Sequence, residues 1–84
     1  MEQATTVESW MVSYLSELLE ISPGEIGLSV PFENFGFDSV AIVSMTADLS
    51  RWVGFELKSD VLFEYPDIQS AADHIRQMQA RRAA

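Results

Sequence analysis

The chain has 84 residues, of which 48% are apolar and 21% are charged, and it contains no cysteine. This length limits it to one domain, and the apolar content suffices for one compact core, which excludes a disordered segment and a disulfide framework. Thirteen acidic residues against five basic ones give a net charge of −8, which argues against partners such as nucleic acid or an anionic membrane surface.

The charge is unevenly distributed along the chain. Residues 1–75 contain all thirteen acidic residues and two basic ones, Arg51 and Lys58, which gives this part a net charge of −11. This excess favours a basic protein partner, or simply solubility. The first residues lack the basic start and apolar core of a signal peptide, and no apolar run approaches the length that spans a bilayer. We therefore expect a soluble, cytoplasmic protein.

The first predicted element is a helix over about residues 5–20. Thr5 and Glu8 have the spacing of a capping box. Apolar residues then recur at helical spacing: Val7, Trp10, Met11, Tyr14, Leu15, Leu18 and Leu19. The helix is predicted to end at Ser22-Pro23-Gly24, because proline and glycine both interrupt helical structure.

Residues 21–38 are predicted to form a long connection. Its prolines and glycines make regular structure unexpected. It also holds six large apolar residues, too many to leave in water: Ile26, Leu28, Val30, Phe32, Phe35 and Phe37. We therefore predict an ordered loop that lies across the helices.

A second helix is predicted over about residues 39–53. Asp38 is placed to cap its start, and Gly54 is placed to end it in the left-handed conformation. Its apolar residues form a broad face: Val40, Ile42, Val43, Met45, Ala47, Leu49, Trp52 and Val53. Trp52 is interpreted as core or helix-boundary packing, with a surface that faces a partner or an acyl chain as the alternative.

Two further helices complete the prediction. A short third helix starts at Ser59-Asp60, turns Val61, Leu62 and Phe63 inward, and stops before Pro66. Asp67 caps a last helix, whose inner stripe comprises Ile68, Ala71, Ala72, Ile75 and Met78. The expected fold is an all-α, small four-helix bundle with a long ordered loop between helices 1 and 2. We expect one domain over residues 1–84, with a folded core at about 5–78 and a frayed tail at 79–84.

The sequence gives little support for catalysis or for a metal site. A Ser-His-Asp triad needs a histidine base, but the chain has only His74, interpreted as a surface or edge residue, and no Gly-x-Ser-x-Gly motif. The scattered aspartates do not have the spacing of a calcium loop. They are interpreted as a solvated acidic face, and no catalytic or metal-binding residue is predicted.

Ser39 is the residue whose position indicates a possible site of chemical modification. It lies at the start of a predicted helix, where free backbone N–H groups and a partial positive charge stabilise an anion. A phosphate ester on this serine is therefore chemically sensible. An ordinary helix start is the alternative that spacing alone leaves open.

Longer stretches of the chain resemble the acyl carrier protein family. "FENFGFDSV" resembles its attachment motif, in which the serine carries 4′-phosphopantetheine. "ISPGEIGLSVPFENFGFDS" resembles the loop of that family, and "LSRWVGFELKSDVLFEYPDI" resembles the end of its second helix, its third helix and its Tyr-Pro turn. The resemblance covers about residues 7–78.

This resemblance implies a non-catalytic carrier with 4′-phosphopantetheine as its cofactor. A phosphopantetheinyl transferase would move the arm from coenzyme A to Ser39, and Asp38 would cap the helix and orient the transferase. The arm's thiol would hold acyl groups as thioesters for partner enzymes: an acyltransferase or acyl-AMP ligase that loads the carrier, and a ketosynthase or other synthase domain. A monomer is the expectation for this family. The residues expected at the docking surface are Val40, Met45, Asp48, Asp60 and Glu64. Core packing is the alternative for Met45, and plain solvation is the alternative for the three acidic residues.

The sequence also bears on the type of carrier. Its second helix has one acidic residue, unlike the glutamate-rich helix of carriers in bacterial fatty acid synthesis, and the chain looks more like carriers of polyketide and hybrid pathways. A peptidyl or aryl carrier of a nonribosomal peptide synthetase is the alternative within the family. Such carriers more often have Gly-Gly-(His/Asp)-Ser, where this chain has Gly36-Phe37-Asp38-Ser39. An unmodified acidic adaptor that binds a basic protein is the alternative from another class.

Overall fold

The four predicted helices form in the predicted order. In the computed structural model, which describes residues 6–83, they are α1 (Val7–Leu19), α2 (Ser39–Val53), α3 (Val61–Glu64) and α4 (Ile68–Ala83). Two short 3-10 helices, Pro23–Glu25 and Phe32–Phe35, lie in the connection between α1 and α2. The described residues contain no strand, so the predicted all-α fold is confirmed.

The cap of α1 differs from the prediction. Thr6, not Thr5, is the N-cap: its hydroxyl accepts a hydrogen bond from the Ser9 N–H at 3.0 Å, and the Ser9 hydroxyl accepts one from the Thr6 N–H at 3.2 Å. Thr5 lies outside the described residues. The N-cap is thus one residue later than in the predicted Thr5–Glu8 capping box, and Glu8 forms an ion pair with Arg76 of α4, a partner that local spacing does not reveal.

All four helices and the long loop contribute to one core. Its fully buried large side chains come from each of these parts: Met11, Leu15, Phe32, Met45, Leu49, Leu62, Ile68 and Ile75. Thr46 is the buried polar residue among those described, and its hydroxyl donates a hydrogen bond of 2.8 Å to the Ile42 carbonyl. The core therefore closes without an unsatisfied side-chain polar atom in the described part of the chain.

Two expectations about which side chains turn inward are wrong: Leu18 of α1 is 53% exposed and Phe63 of α3 is 48% exposed. In α2, the apolar face also includes two residues that are exposed, Val40 and Val43. A helix can turn only one side to the core, and the deeply buried residues of α2 occupy that side, so its remaining apolar residues stay outside. The one-turn helix α3 likewise buries Val61 and Leu62 and leaves Phe63 at the surface.

The loop between α1 and α2 is ordered, as predicted, although its two 3-10 helices were not expected. Ile26, Phe32 and Phe37 are buried. Two backbone hydrogen bonds join the loop to the chain around the start of α4: the Phe32 N–H donates to the carbonyl of Pro66, between α3 and α4, at 2.8 Å, and the N–H of Gln69, in the first turn of α4, donates to the Leu28 carbonyl at 2.9 Å. These bonds place the second 3-10 helix beside α3.

Helix α4 extends further than the expected ordered region. Asp67 caps it as predicted, with a carboxylate oxygen 2.8 Å from the Ser70 N–H. The helix continues to Ala83, although fraying was expected from residue 79. The Arg82 guanidinium lies 4.6 Å from the centre of the Phe55 ring, a cation–π contact that holds the end of α4 against the segment after α2.

Candidate functional site

The start of α2 presents Ser39 at the surface of the protein. The second 3-10 helix ends at Gly36, whose φ of 83° lies in the left-handed region that glycine adopts without strain. Phe37 then inserts into the core, Asp38 is extended, and the helix begins at Ser39. The chain thus turns sharply between a buried aromatic residue and an exposed serine.

Asp38 fixes the beginning of the helix. Its carboxylate accepts a hydrogen bond of 2.9 Å from the Ala41 N–H, as predicted for an N-cap. The N–H groups of the first helical residues have no acceptor within the helix and give this end a partial positive charge. The Ser39 hydroxyl therefore lies where a covalently attached anion is stabilised.

An apolar groove of about 330 Å³ lies directly beside Ser39. We call it the serine-side groove. Its walls come from the loop, from α2, and from α3 with the turn that follows it. Six apolar residues line it: Phe32, Phe37, Ile42, Leu62, Phe63 and Pro66. Glu33 and Ser39 are the two polar residues in its lining. The hydrogen bond between Phe32 and Pro66 holds its two long walls together.

Exposed apolar side chains surround this site. Val40, the residue after Ser39, is 73% exposed, Val43 one turn later is 43% exposed, and Phe63 lies across the groove. Exposed apolar side chains concentrated around one site are typical of a surface that is covered by a partner. Val40, predicted as a docking residue, is thus one of three exposed apolar side chains near Ser39, together with Val43 and Phe63.

The other predicted docking residues are placed less uniformly. Met45 is fully buried, so the prediction that it docks a partner is wrong, and it belongs to the core. Asp48 accepts a hydrogen bond of 2.9 Å from the Tyr14 hydroxyl and pairs with Arg51, so its carboxylate is engaged within the bundle. Asp60 and Glu64 are exposed and line a different depression, of about 390 Å³.

The contact between Tyr14 and Asp48 changes the acidity of the tyrosine. Burial raises the pKa of Tyr14 to about 12, and the hydrogen bond and negative charge of Asp48 act in the same direction. Tyr14 also stacks on Trp10, with ring centres 5.1 Å apart, and Trp10 stacks on Trp52 at 5.7 Å. Trp52 is therefore at a helix boundary, 38% exposed and packed between α1 and α2.

His74 takes no part in the site around Ser39. It is half-buried, in accordance with the expected edge position, and its ring stacks on Tyr65 at 4.2 Å between centres. Among residues 6–83, no group of three or more histidine and acidic side chains is placed to hold a metal ion. No helix within that range has the length and apolarity needed to cross a membrane.

Sequence reasoning did not find the serine-side groove. Three of its residues, Leu62, Phe63 and Pro66, lie more than 20 positions after Ser39 in the sequence. They meet the residues of the loop because the Phe32 N–H binds the Pro66 carbonyl. The phenylalanine-rich loop and the Tyr-Pro turn were visible as separate features. The hydrogen bond that joins them is a tertiary contact, which local patterns do not encode.

Comparisons with known proteins agree with this geometry. Residues 9–75 match the family model of the phosphopantetheine attachment site. The acyl carrier protein TtuC of Teredinibacter turnerae is 45% identical over 51 residues, which span 61% of this chain and 59% of TtuC. The erythronolide synthase EryA3 of Saccharopolyspora erythraea is 38% identical over 56 residues, or 67% of this chain and 2% of the synthase. The chain thus matches less than two thirds of the length of either relative.

The chain also has the same fold as a solved structure. The HMG-ACPI domain of the CurA module from Lyngbya majuscula superposes with a TM-score of 0.81, at 22% identity, over 100% of this chain and 90% of that domain. The family model spans most of the chain, including the loop, the start of α2 and the groove. This chain belongs to the phosphopantetheine attachment-site family.

Proposed function

We propose that this chain is an acyl carrier protein of polyketide or related lipid and hybrid natural-product biosynthesis, modified on Ser39. The observation that carries the proposal is the position of the Ser39 hydroxyl. It is exposed at a capped helix start, at the edge of an apolar groove and next to Val40. The relatives TtuC and EryA3 support an acyl cargo and a polyketide setting.

The residues around Ser39 fit the cofactor of the family, 4′-phosphopantetheine. The hydroxyl is accessible for esterification, and the start of α2 stabilises a phosphodiester next to it. The groove offers apolar walls to what is attached there. The cofactor supplies a thiol on which acyl groups are held as thioesters, and this chain, which lacks cysteine, has no thiol of its own.

The modification is a group transfer in which this chain supplies the nucleophile. The Ser39 oxygen forms a bond to the phosphorus on the pantetheine side of coenzyme A, and the pyrophosphate bridge breaks. Adenosine 3′,5′-bisphosphate leaves, and the serine proton passes to a base of the transferase. Asp38 contributes by holding the helix start, and therefore Ser39, in one geometry.

Partner enzymes would approach on the side of Ser39. Val40, Val43 and Phe63 give a partner apolar area to bury, and the net charge of −11 over residues 1–75 attracts basic surfaces. The partners inferred are a phosphopantetheinyl transferase, an acyltransferase or acyl-AMP ligase that loads the carrier, and a ketosynthase or other synthase domain. The carrier itself catalyses no step. It raises the effective concentration of a tethered substrate at each partner.

The test is modification by a broad-specificity phosphopantetheinyl transferase with coenzyme A, followed by measurement of the intact mass. We expect the wild-type chain to gain one phosphopantetheine and Ser39→Ala to gain none. Ser44→Ala is the matched control, since Ser44 is also exposed on α2, and it should be modified like the wild type. If the wild type gains nothing although circular dichroism shows it to be folded, the carrier function is refuted. An acidic adaptor that binds a basic protein would then explain the surface better.

A further inference from the structure

A small notch lies on the surface of α1, beside the contact of this helix with α2. It has a volume of about 180 Å³, and four residues of α1 line it: Trp10, Ser13, Tyr14 and Glu17. Their spacing of three and four positions places them on one face of the helix. None of them lines the serine-side groove. We call this feature the α1 notch.

The two aromatic rings of the α1 notch are held in place by contacts with α2. Trp10 stacks on Tyr14, with ring centres 5.1 Å apart, and also on Trp52 of α2, at 5.7 Å. The Tyr14 hydroxyl donates a hydrogen bond of 2.9 Å to Asp48 of α2. A ligand that contacts these rings does not have to order them first, which lowers the entropy cost of binding.

The charge of the α1 notch favours a cation. Glu17 is exposed and has no ion pair within residues 6–83, and no basic residue lines the notch. Arg51 of α2 is engaged by Asp48, the residue that binds Tyr14. An aromatic ring attracts a cation through the negative charge above its face, and a guanidinium also stacks flat on the ring. A carboxylate beside two aromatic rings therefore suits a guanidinium.

The size of the α1 notch indicates a side chain of a partner protein, not a free small molecule. Its volume is well below the range of about 300–1,000 Å³ that is usual for small-molecule pockets. Exposed apolar side chains flank it: Leu18, one turn after Tyr14, and Trp52 of α2. Aromatic residues and arginine are enriched where proteins bind one another. The net charge of −11 over residues 1–75 attracts a partner that is basic.

We propose that the α1 notch is a docking site for an arginine side chain of a basic partner protein. Asp48, which binds Tyr14, lies nine residues after Ser39 in α2, about 14 Å along the helix axis. The notch and the start of α2 are thus separate sites, and one protein can hold the chain at the notch while another acts on Ser39. The inference goes beyond the proposed function and does not depend on it, because it requires no group attached at Ser39.

The experiment is an NMR titration of the full chain, labelled with nitrogen-15, with a blocked octapeptide of alternating arginine and glycine. The chain has two tryptophans, Trp10 and Trp52, so two indole N–H signals report on the aromatic stack. We expect both signals to shift in a saturable manner. The corresponding lysine peptide has the same charge but no planar group that stacks, and it should bind at least about twofold more weakly. The amide signals of Asp60 and Glu64, which line the other acidic depression, should not distinguish the two peptides.

Matched variants identify the residues that bind the peptide. Glu17→Gln removes the carboxylate of the notch and should raise the dissociation constant of the arginine peptide about two- to fivefold. Glu20→Gln is the control, because Glu20 is an exposed acid at the end of the same helix that does not line the notch. Ser13→Arg places a like charge at the notch and should weaken binding at least about fivefold. Ser22→Arg adds the same charge at an exposed position outside the notch and should weaken binding much less.

The results separate this inference from the proposed function. The inference is overturned if the arginine peptide leaves both indole signals unchanged, whether it binds elsewhere or not at all. It is also overturned if the lysine peptide binds equally well, or if Glu17→Gln behaves like Glu20→Gln, because the net negative charge would then explain the binding without the notch. Ser39→Ala should bind the arginine peptide like the wild type, so a failure of phosphopantetheine transfer would leave this result unchanged.

Discussion

The two sides of this small bundle differ in the kind of side-chain contacts that they contain. On the side where α1 meets α2 and α4, polar and aromatic contacts are numerous: Tyr14 binds Asp48, Trp10 stacks on Trp52, and Arg76 pairs with Glu8. Around Ser39, the exposed side chains of Val40, Val43 and Phe63 are apolar, and the bond between Asp38 and Ala41 is the main polar contact.

We call the side where α1 meets α2 and α4 the scaffold side, and it differs from the surface around Ser39, where the proposed modification takes place. Contacts on the α1 side join side chains of different helices. The surface around Ser39 keeps its apolar side chains in water, which costs free energy that a partner or a cargo can recover on binding. Substitutions should accordingly affect stability on one side and modification on the other.

The largest expected effect on stability comes from Met45→Ala. Met45 is fully buried, so the substitution removes apolar contacts and leaves a cavity, which should lower the free energy of unfolding by about 2–5 kcal/mol. Val43→Ala, on the exposed side of the same helix, should change it by less than about 0.5 kcal/mol. Urea unfolding followed by circular dichroism measures both. Equal effects of the two variants would contradict the assignment of Met45 to the core and of Val43 to the surface.

The two aspartate caps allow stability and modification to be separated. Asp38→Ala and Asp67→Ala each remove one capping bond, of 2.9 and 2.8 Å, and each should cost about 1 kcal/mol of unfolding free energy. Only Asp38→Ala should also slow the modification of Ser39, because only that cap positions the serine. The measurement is the initial rate of phosphopantetheine transfer at a temperature where both variants are folded. An equal slowing in Asp67→Ala would mean that general loosening of the fold, not local geometry, controls the rate.

The contact between Tyr14 and Asp48 should contribute on the scaffold side and depend on pH. Tyr14→Phe loses one hydrogen bond to a charged acceptor and should reduce the unfolding free energy by about 0.5–1.5 kcal/mol at pH 7. The pKa of Tyr14 is raised to about 12 in the folded state, above about 10 when unfolded, so its contribution is present below pH 10 and is lost as the pH rises toward 12.

Urea unfolding at pH 9 and at pH 11 tests this dependence. The wild type should lose more stability between these two values than Tyr14→Phe does, because other titrating groups affect both proteins equally. An identical loss in the two proteins would contradict the role of this hydrogen bond.

The smallest expected effect is that of Glu8→Gln. Burial alone would raise the pKa of Glu8, but the hydrogen bond and charge of Arg76 outweigh it and lower the pKa. The pair is partly exposed, so its loss should cost about 0.2–1 kcal/mol at pH 7. A lowered pKa means that this contribution is present above about pH 4.3 and is lost as the pH falls below it.

The comparison variant is Glu17→Gln, which replaces an exposed acid of the same helix that has no ion pair within residues 6–83. Urea unfolding at pH 7 and pH 3 should show a difference between the two variants at pH 7 only. A difference that persists at pH 3 would rule out the ion pair as its source.

The sequence predicted well what is encoded locally. The limits of α2 follow from Asp38 and Gly54, and Asp67 marks the start of α4, because capping depends on neighbouring residues. What failed depends on distant contacts. Glu8 pairs with Arg76 of α4, Met45 is buried in the core and not at the docking surface, and Arg82 at the end of α4 packs over Phe55. The serine was recognisable from its motif, whereas the groove beside it requires the loop to dock on Pro66.

The most direct test of the central claim is to locate the modification within the chain. After transfer from coenzyme A, trypsin digestion should yield a peptide that ends at Arg51 and contains both Ser39 and Ser44, because no lysine or arginine precedes Arg51. Tandem mass spectrometry should place phosphopantetheine on Ser39 alone. Modification of Ser44 or of another serine, or no modification of a folded protein, would contradict the account.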